Sequence, residues 1–125
     1  MNRKNSMEKD TKMINSLATL AGNYWRLLNS YERLIAESST EKHTRLKSNY
    51  RNAERRLTAI LNQHNIKIIS YEGKAYTPNL AVTVVNDDEF SDNEKLIVEY
   101  MMEPTVMLGE QILSMGKAVL SKEGK

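Results

Sequence analysis

The chain has 125 residues, of which 40% are hydrophobic and 27% charged. That length and balance suit one ordinary globular unit and exclude a chain disordered throughout. A net charge of +2 excludes a polycation that coats nucleic acid, and the lack of cysteine excludes disulfides, a thiolate nucleophile and cysteine-ligated metal.

Residues 1–65 carry 12 basic and 6 acidic side chains, with Gly22 the only glycine and no proline. Met13, Leu17, Leu20, Tyr24, Leu27, Tyr31 and Leu34 alternate by four and three, the seam of an amphipathic helix expected over about residues 6–37. Ile14, Ala21, Leu28 and Ile35 add a second stripe beside it, and Lys12, Asn15, Arg26, Asn29 and Arg33 fall on the opposite face. Ser38-Ser39-Thr40-Glu41 reads as a stop and restart, with Ser38 and Glu41 spaced for a capping box. A second seam, Leu46, Tyr50, Ala53, Leu57, Ile60 and His64, is out of phase with the first, so a helical hairpin is expected, with a bent continuous helix as the alternative. Two such helices cannot cover both stripes alone, which predicts a homodimer closing a four-helix bundle. Leu17, Leu20, Tyr24, Leu27, Tyr31, Leu34, Leu46, Tyr50 and Leu57 are its candidate dimerisation residues.

Residues 66–125 reverse the charge, with 6 basic and 10 acidic side chains, and hold the remaining glycines and both prolines. The period becomes two. Ile66–Tyr71 reads as a strand, Glu72-Gly73-Lys74 as its turn, and Leu80–Val85 as a second, buried strand. Asn86–Asn93 is a polar loop and Leu96–Met102 a third strand, ended by Pro104. A hairpin is expected around Leu108-Gly109-Glu110, with closing strands at Ile112-Leu113 and Ala118–Leu120 separated by Gly116. The fold class predicted is α+β: a helical dimerisation region over 1–65, then a small antiparallel β domain over 66–125 that binds a partner.

Catalytic chemistry finds little support. His43 and His64 have no partner at triad or metal-ligand spacing, and His64 is read as ending a helix, where an imidazolium meets the negative end of the dipole. The acidic stretch Asp87–Glu94 lacks the sixth-position glycine of a calcium loop and reads as a solvated loop. There is no phosphate loop, dinucleotide fingerprint, nucleophile elbow or HExxH, so neither an enzyme nor a cofactor or metal is expected. No run approaches the ~20 apolar residues that cross a bilayer, and MNRKNSMEKDTK lacks the apolar core of a secretory signal. A cytoplasmic protein is the expectation. Lys42, Arg45, Lys47, Arg51, Arg55 and Arg56 make the second helix basic. That face either is solvated or binds an acidic partner or nucleic acid. Met107 and Leu108 fall at the hairpin tip, where exposed apolar side chains suggest a partner.

The order of elements resembles the GrpE family of nucleotide-exchange factors, over roughly Leu57–Lys122 in sequence and the whole chain in layout. Tyr76-Thr77-Pro78-Asn79-Leu80-Ala81-Val82 is similar to the family's Asp-Pro-Asn-x-His-x-Ala-Val segment, shortened and without the His. Asp87–Asn93, Leu96–Met101, Leu108-Gly109-Glu110-Gln111-Ile112 and Val119-Leu120-Ser121 resemble, in order, its acidic loop, its Ile/Val strand, its Leu-x-Gly-x-x-Ile hairpin and its last strand. Pro104-Thr105 replaces the family's Gly-Tyr pair, and Ser114–Lys117 its Arg-Pro-Ala. The resemblance implies a homodimeric co-chaperone whose β domain holds open the nucleotide cleft of a DnaK-type ATPase. The matching contact positions are Asn79, Leu80, Leu108 and Gly109, with Arg55 and Arg56 as charged partners of an acidic ATPase patch.

Overall fold

A computed structural model describes residues 3–124; Met1 and Asn2, at the head of the polar N-terminal stretch, and Lys125 lie outside them. The fold is α+β: α1 (Arg3–Ala36) and α2 (Thr40–Asn62) precede six strands, β1 (Ile66–Ile69), β2 (Val82–Val84), β3 (Leu96–Glu103), β4 (Thr105–Leu108), β5 (Gln111–Ser114) and β6 (Gly116–Lys122). The chain divides into two compact units, 1–67 and 68–125, so the division falls inside β1 rather than at residue 65.

In the first unit the helices form a hairpin. α1 begins three residues earlier than its apolar seam predicts, because Arg and Lys prolong a helix at little cost once it is nucleated. It buries Ala21, Leu28 and Ile35 of the second, narrower stripe together with Ala18, which the stripe does not include, while Ile14 is half-buried; the two alanines permit close approach of the neighbouring helix. The break between helices lies where the sequence places it, but the capping box does not form. Ser39 is the N-cap of α2 and its side chain makes no capping bond. Ser38 instead donates its Oγ hydrogen to the carbonyl of Ile35 at 2.6 Å, so it closes α1 rather than opening α2. α2 also ends sooner than its seam suggests, with Gln63 as C-cap. His64 lies beyond it in an exposed turn, not on the helix, and Asn65 (φ 59°) takes the left-handed conformation that turns the chain into β1.

The strands form two three-stranded sheets, in the orders β1-β4-β5 and β2-β6-β3. Strands β1 and β2 are shorter than their apolar runs. Ser70-Tyr71 and Leu80-Ala81 leave the ladder, the latter because Leu80 N–H bonds Thr77 O in a turn built on Pro78-Asn79. β2 pairs with β6 in parallel, which corrects the all-antiparallel expectation. The long connection between the two strands leaves room for the crossover that parallel pairing needs. β3 and β6 form the long antiparallel ladder, with register shifts between Val98 and Tyr100 and between Met101 and Glu103. The first shift resets the alternation, so that Val98 and Met101, three apart, both face inward and Met102 is exposed. They pack in one core with Val82, Val106, Ala118 and Leu120. Gly116 opens β6 instead of separating strands. A Cβ there would fall 2.6 Å from both Met101 Cε and Thr105 Oγ1, so only glycine fits.

The expected polar loop 86–93 contains a 3₁₀ turn, Asp87–Glu89. Asn86 anchors it: its Nδ2 donates to Leu120 O at 2.9 Å and to Glu89 Oε2 at 2.6 Å, and its Oδ1 accepts from Leu120 N–H at 2.9 Å.

Candidate functional site

The candidate contact residues of the β unit fall on two different sheets. Asn79 is exposed and Leu80 half-buried in the turn that enters β2. Met107 and Leu108 end β4 and are half-buried, so the apolar hairpin tip is partly covered. The turn itself is Gly109-Glu110, closed by the pair Leu108–Gln111. Gly109, at φ 59°, stands at the first central position, where a two-residue type II′ hairpin turn places glycine. Beyond the turn, Ile112 and Met115 are 45% and 44% exposed. From the sequence Ile112 reads as part of a closing strand and Met115 as one of a cluster of methionines, neither as a contact residue; the run without charge from Gln111 to Gly116 is the signal that could have marked them.

Arg55 and Arg56 lie in the other unit, on α2, both exposed. Arg55 borders an open groove with Arg51, Thr58 and Asn62, while Arg56 stands beside an almost wholly apolar one. Lys42, Arg45, Lys47 and Arg51 are also exposed, and among the described residues none of these six cations makes an ion pair. Six positive charges against Glu41 and Glu54 make α2 an electropositive rod.

The nine candidate dimerisation residues separate into two groups. On α2, Leu46, Tyr50 and Leu57 are half-buried within the hairpin. Burial pushes the Tyr50 phenol up from its ordinary value of 10.0, and hydrogen bonding and charge from Glu54, then from Glu32 of α1, act in the same direction. On α1 the seam looks outward: Leu20, Leu27 and Leu34 are 63%, 71% and 63% exposed, Tyr24 is exposed, and only Leu17 and Tyr31 are half-covered. Met13 continues the exposed row, which spans about 30 Å at 1.5 Å per residue. Beside it, between the helices, runs an apolar groove of about 300 Å³ bordered by Leu17, Leu20, Tyr24, Leu57 and Ile60. The hairpin therefore covers the narrower stripe of α1 and leaves the wider seam open.

These surfaces offer contact area, charge and exposed main chain. Among the described residues no three His, Asp or Glu side chains are grouped to hold a metal ion, and no helix is long and apolar enough to cross a membrane. No protein-family model matches the chain, and no curated protein matches it either.

Proposed function

We propose that the chain is a homodimeric, GrpE-like exchange factor or adaptor for a DnaK-type, actin-fold ATPase. One observation carries the reading: the order along the chain. A helical hairpin is followed by Pro78-Asn79-Leu80-Ala81-Val82 entering a buried strand, an acidic turn, and Leu108-Gly109-Glu110-Gln111-Ile112 at a hairpin. The open seam of α1 supports the homodimer, since a row of exposed leucines about 30 Å long is costly in water without a cover.

In this role the protein makes and breaks no bonds. It binds the open, nucleotide-free ATPase more tightly than the closed form. Turning a minor open state into the dominant one takes a differential affinity of about 10⁴. Asn79, Leu80, Met107, Leu108 and Gly109 supply the β-unit contacts, and Arg55 and Arg56 steer an acidic surface toward the protein. The test is stopped-flow release of a labelled nucleotide from a purified DnaK-type ATPase. Saturating protein should speed release by about tenfold or more, and Leu108→Asp should abolish the effect. No acceleration at saturation refutes the reading.

The unpaired cations of α2 favour a second reading, a dimeric nucleic-acid-binding or scaffold protein. Duplex DNA would then bind with a steep inverse dependence on salt, because phosphate contacts release counterions. Absent or salt-insensitive binding discards it.

A further inference from the structure

The sheet edges of the β unit carry devices against pairing with another chain; at β5 the device is a register shift between Val106 and Met107, with no charge and no proline beside it. The outer edge of β3 is occupied by residues 73–76: Gly73 N–H and Tyr76 N–H bond Val98 O and Leu96 O, and Val98 N–H bonds Lys74 O. β2 is only three residues long, and β1 bears the exposed Lys67. β5 ends its sheet and pairs with β4 alone. From Gln111 to Gly116 the chain has no charge and no proline, and Ile112 of β5 and Met115 just beyond its end are exposed. The closing pair Leu108–Gln111 of the two-residue turn is a hydrogen-bonded pair, so the next pair, Met107–Ile112, is not. The N–H and C=O of Ile112 therefore point away from β4, along the open edge.

We propose that β5 is a docking edge for an extended, apolar segment of a partner protein carrying a basic residue beside Glu110. Outward main-chain groups specify an extended backbone as occupant, and the exposed Ile112 and Met115 specify β-branched or aromatic side chains on it. Charge specifies the rest. Glu110 is the only ionisable residue between Pro104 and Gly116, and residues 66–125 carry 10 acidic against 6 basic side chains. A flanking Lys or Arg is thus attracted, and an acidic one repelled. The proposal does not depend on the exchange-factor reading, because it concerns main-chain pairing at β5 and not the fate of a nucleotide.

The full chain is panned against a displayed library of random decapeptides, and selected peptides are titrated into labelled protein. The expected selection alternates β-branched or aromatic residues with polar ones and carries Lys or Arg at one end. On binding, exchange of the Ile112 amide should slow by about tenfold or more. Glu110→Lys, at an exposed turn position, should weaken these peptides by about tenfold and favour versions with Glu in place of the Lys. Ile112→Pro should abolish binding, with circular dichroism showing that the sheet persists. No selected peptide, protection elsewhere without Ile112, or indifference to Glu110→Lys would each overturn the proposal. So would a drop in oligomeric state on Ile112→Lys, which would mean that a second copy of this chain covers the edge.

Discussion

Thr105 is the polar centre of an otherwise apolar core. It has no exposed surface; its Oγ1 donates to Ala81 O at 2.6 Å and accepts from Gly116 N–H at 3.2 Å. Thr105→Val keeps the shape and removes the hydroxyl from both partners, leaving Gly116 N–H and Ala81 O only their long mutual bond of 3.4 Å. The expected loss is about 1–3 kcal/mol of unfolding free energy, read from urea denaturation. Thr105→Ser should lose less than Val, because the hydroxyl survives; a larger loss in Ser than in Val would assign the effect to the methyl. This node was only half legible beforehand. A glycine inside a strand signals close approach of other atoms, so Gly116 could have been read as packed rather than as a spacer. Nothing local to Thr105 announces that its hydroxyl joins β4 to the entrances of β2 and β6, since those contacts span 24 and 11 residues. Tyr50 is a second such residue. Its phenol ionises less readily folded than unfolded, so its contribution is fully present below the unfolded value near 10 and is lost as pH rises above it. Wild type should therefore lose stability more steeply than Tyr50→Phe above pH 10, and the two should run parallel below pH 9, in urea midpoints measured across that range.

Periodicity was a sound guide to α1 and α2 and a poorer one to the strands. The helical seams repeat over many turns and so average out local exceptions, and the phase break at 37–39 lies where the hairpin turns. The capping detail failed because two adjacent serines compete for one boundary and the hydroxyl of Ser38 found a carbonyl behind it. Strand ends and pairings depend on distant partners. The register shift in β3 exchanges Met102 for Met101 in the core, and β2 stops at Val84 although Val85 continues its apolar run. What continues the β2 edge is a side chain: Asn86 bonds both the N–H and the C=O of Leu120, as a further strand residue would. Asn86→Ala should release this edge and the Asp87–Glu89 turn together, costing about 1–3 kcal/mol. Exchange of the Leu120 amide should rise more than that of Val98 at the centre of the ladder. Uniform loss of protection would mean that Asn86 supports the whole sheet instead of one edge.

The candidate surfaces were legible as residue types, but their state was not. Sequence spacing put two apolar stripes on α1 without saying which one the hairpin consumes. The chain spends the alanine-bearing stripe on α2 and leaves Leu20, Leu27 and Leu34 in water, because small side chains let helix axes approach while large ones hold them apart. A second copy laying its own row into this seam and the adjoining groove would remove these leucines from water, at roughly 1.5–3 kcal/mol for each one fully buried. If that is the native assembly, thermal stability depends on concentration, because association stabilises only the folded chain. Wild-type Tm should climb as protein concentration is raised, and sedimentation should give twice the protomer mass. Leu27→Glu, which sets two carboxylates near one another across a two-fold seam, should give a folded protomer whose Tm no longer depends on concentration. Arg26→Glu, on the opposite face, shifts the charge by two units instead of one and should still leave the dimer intact. A wild-type protomer mass at all concentrations, or equal effects of the two substitutions, would leave the α1 seam without the role proposed for it.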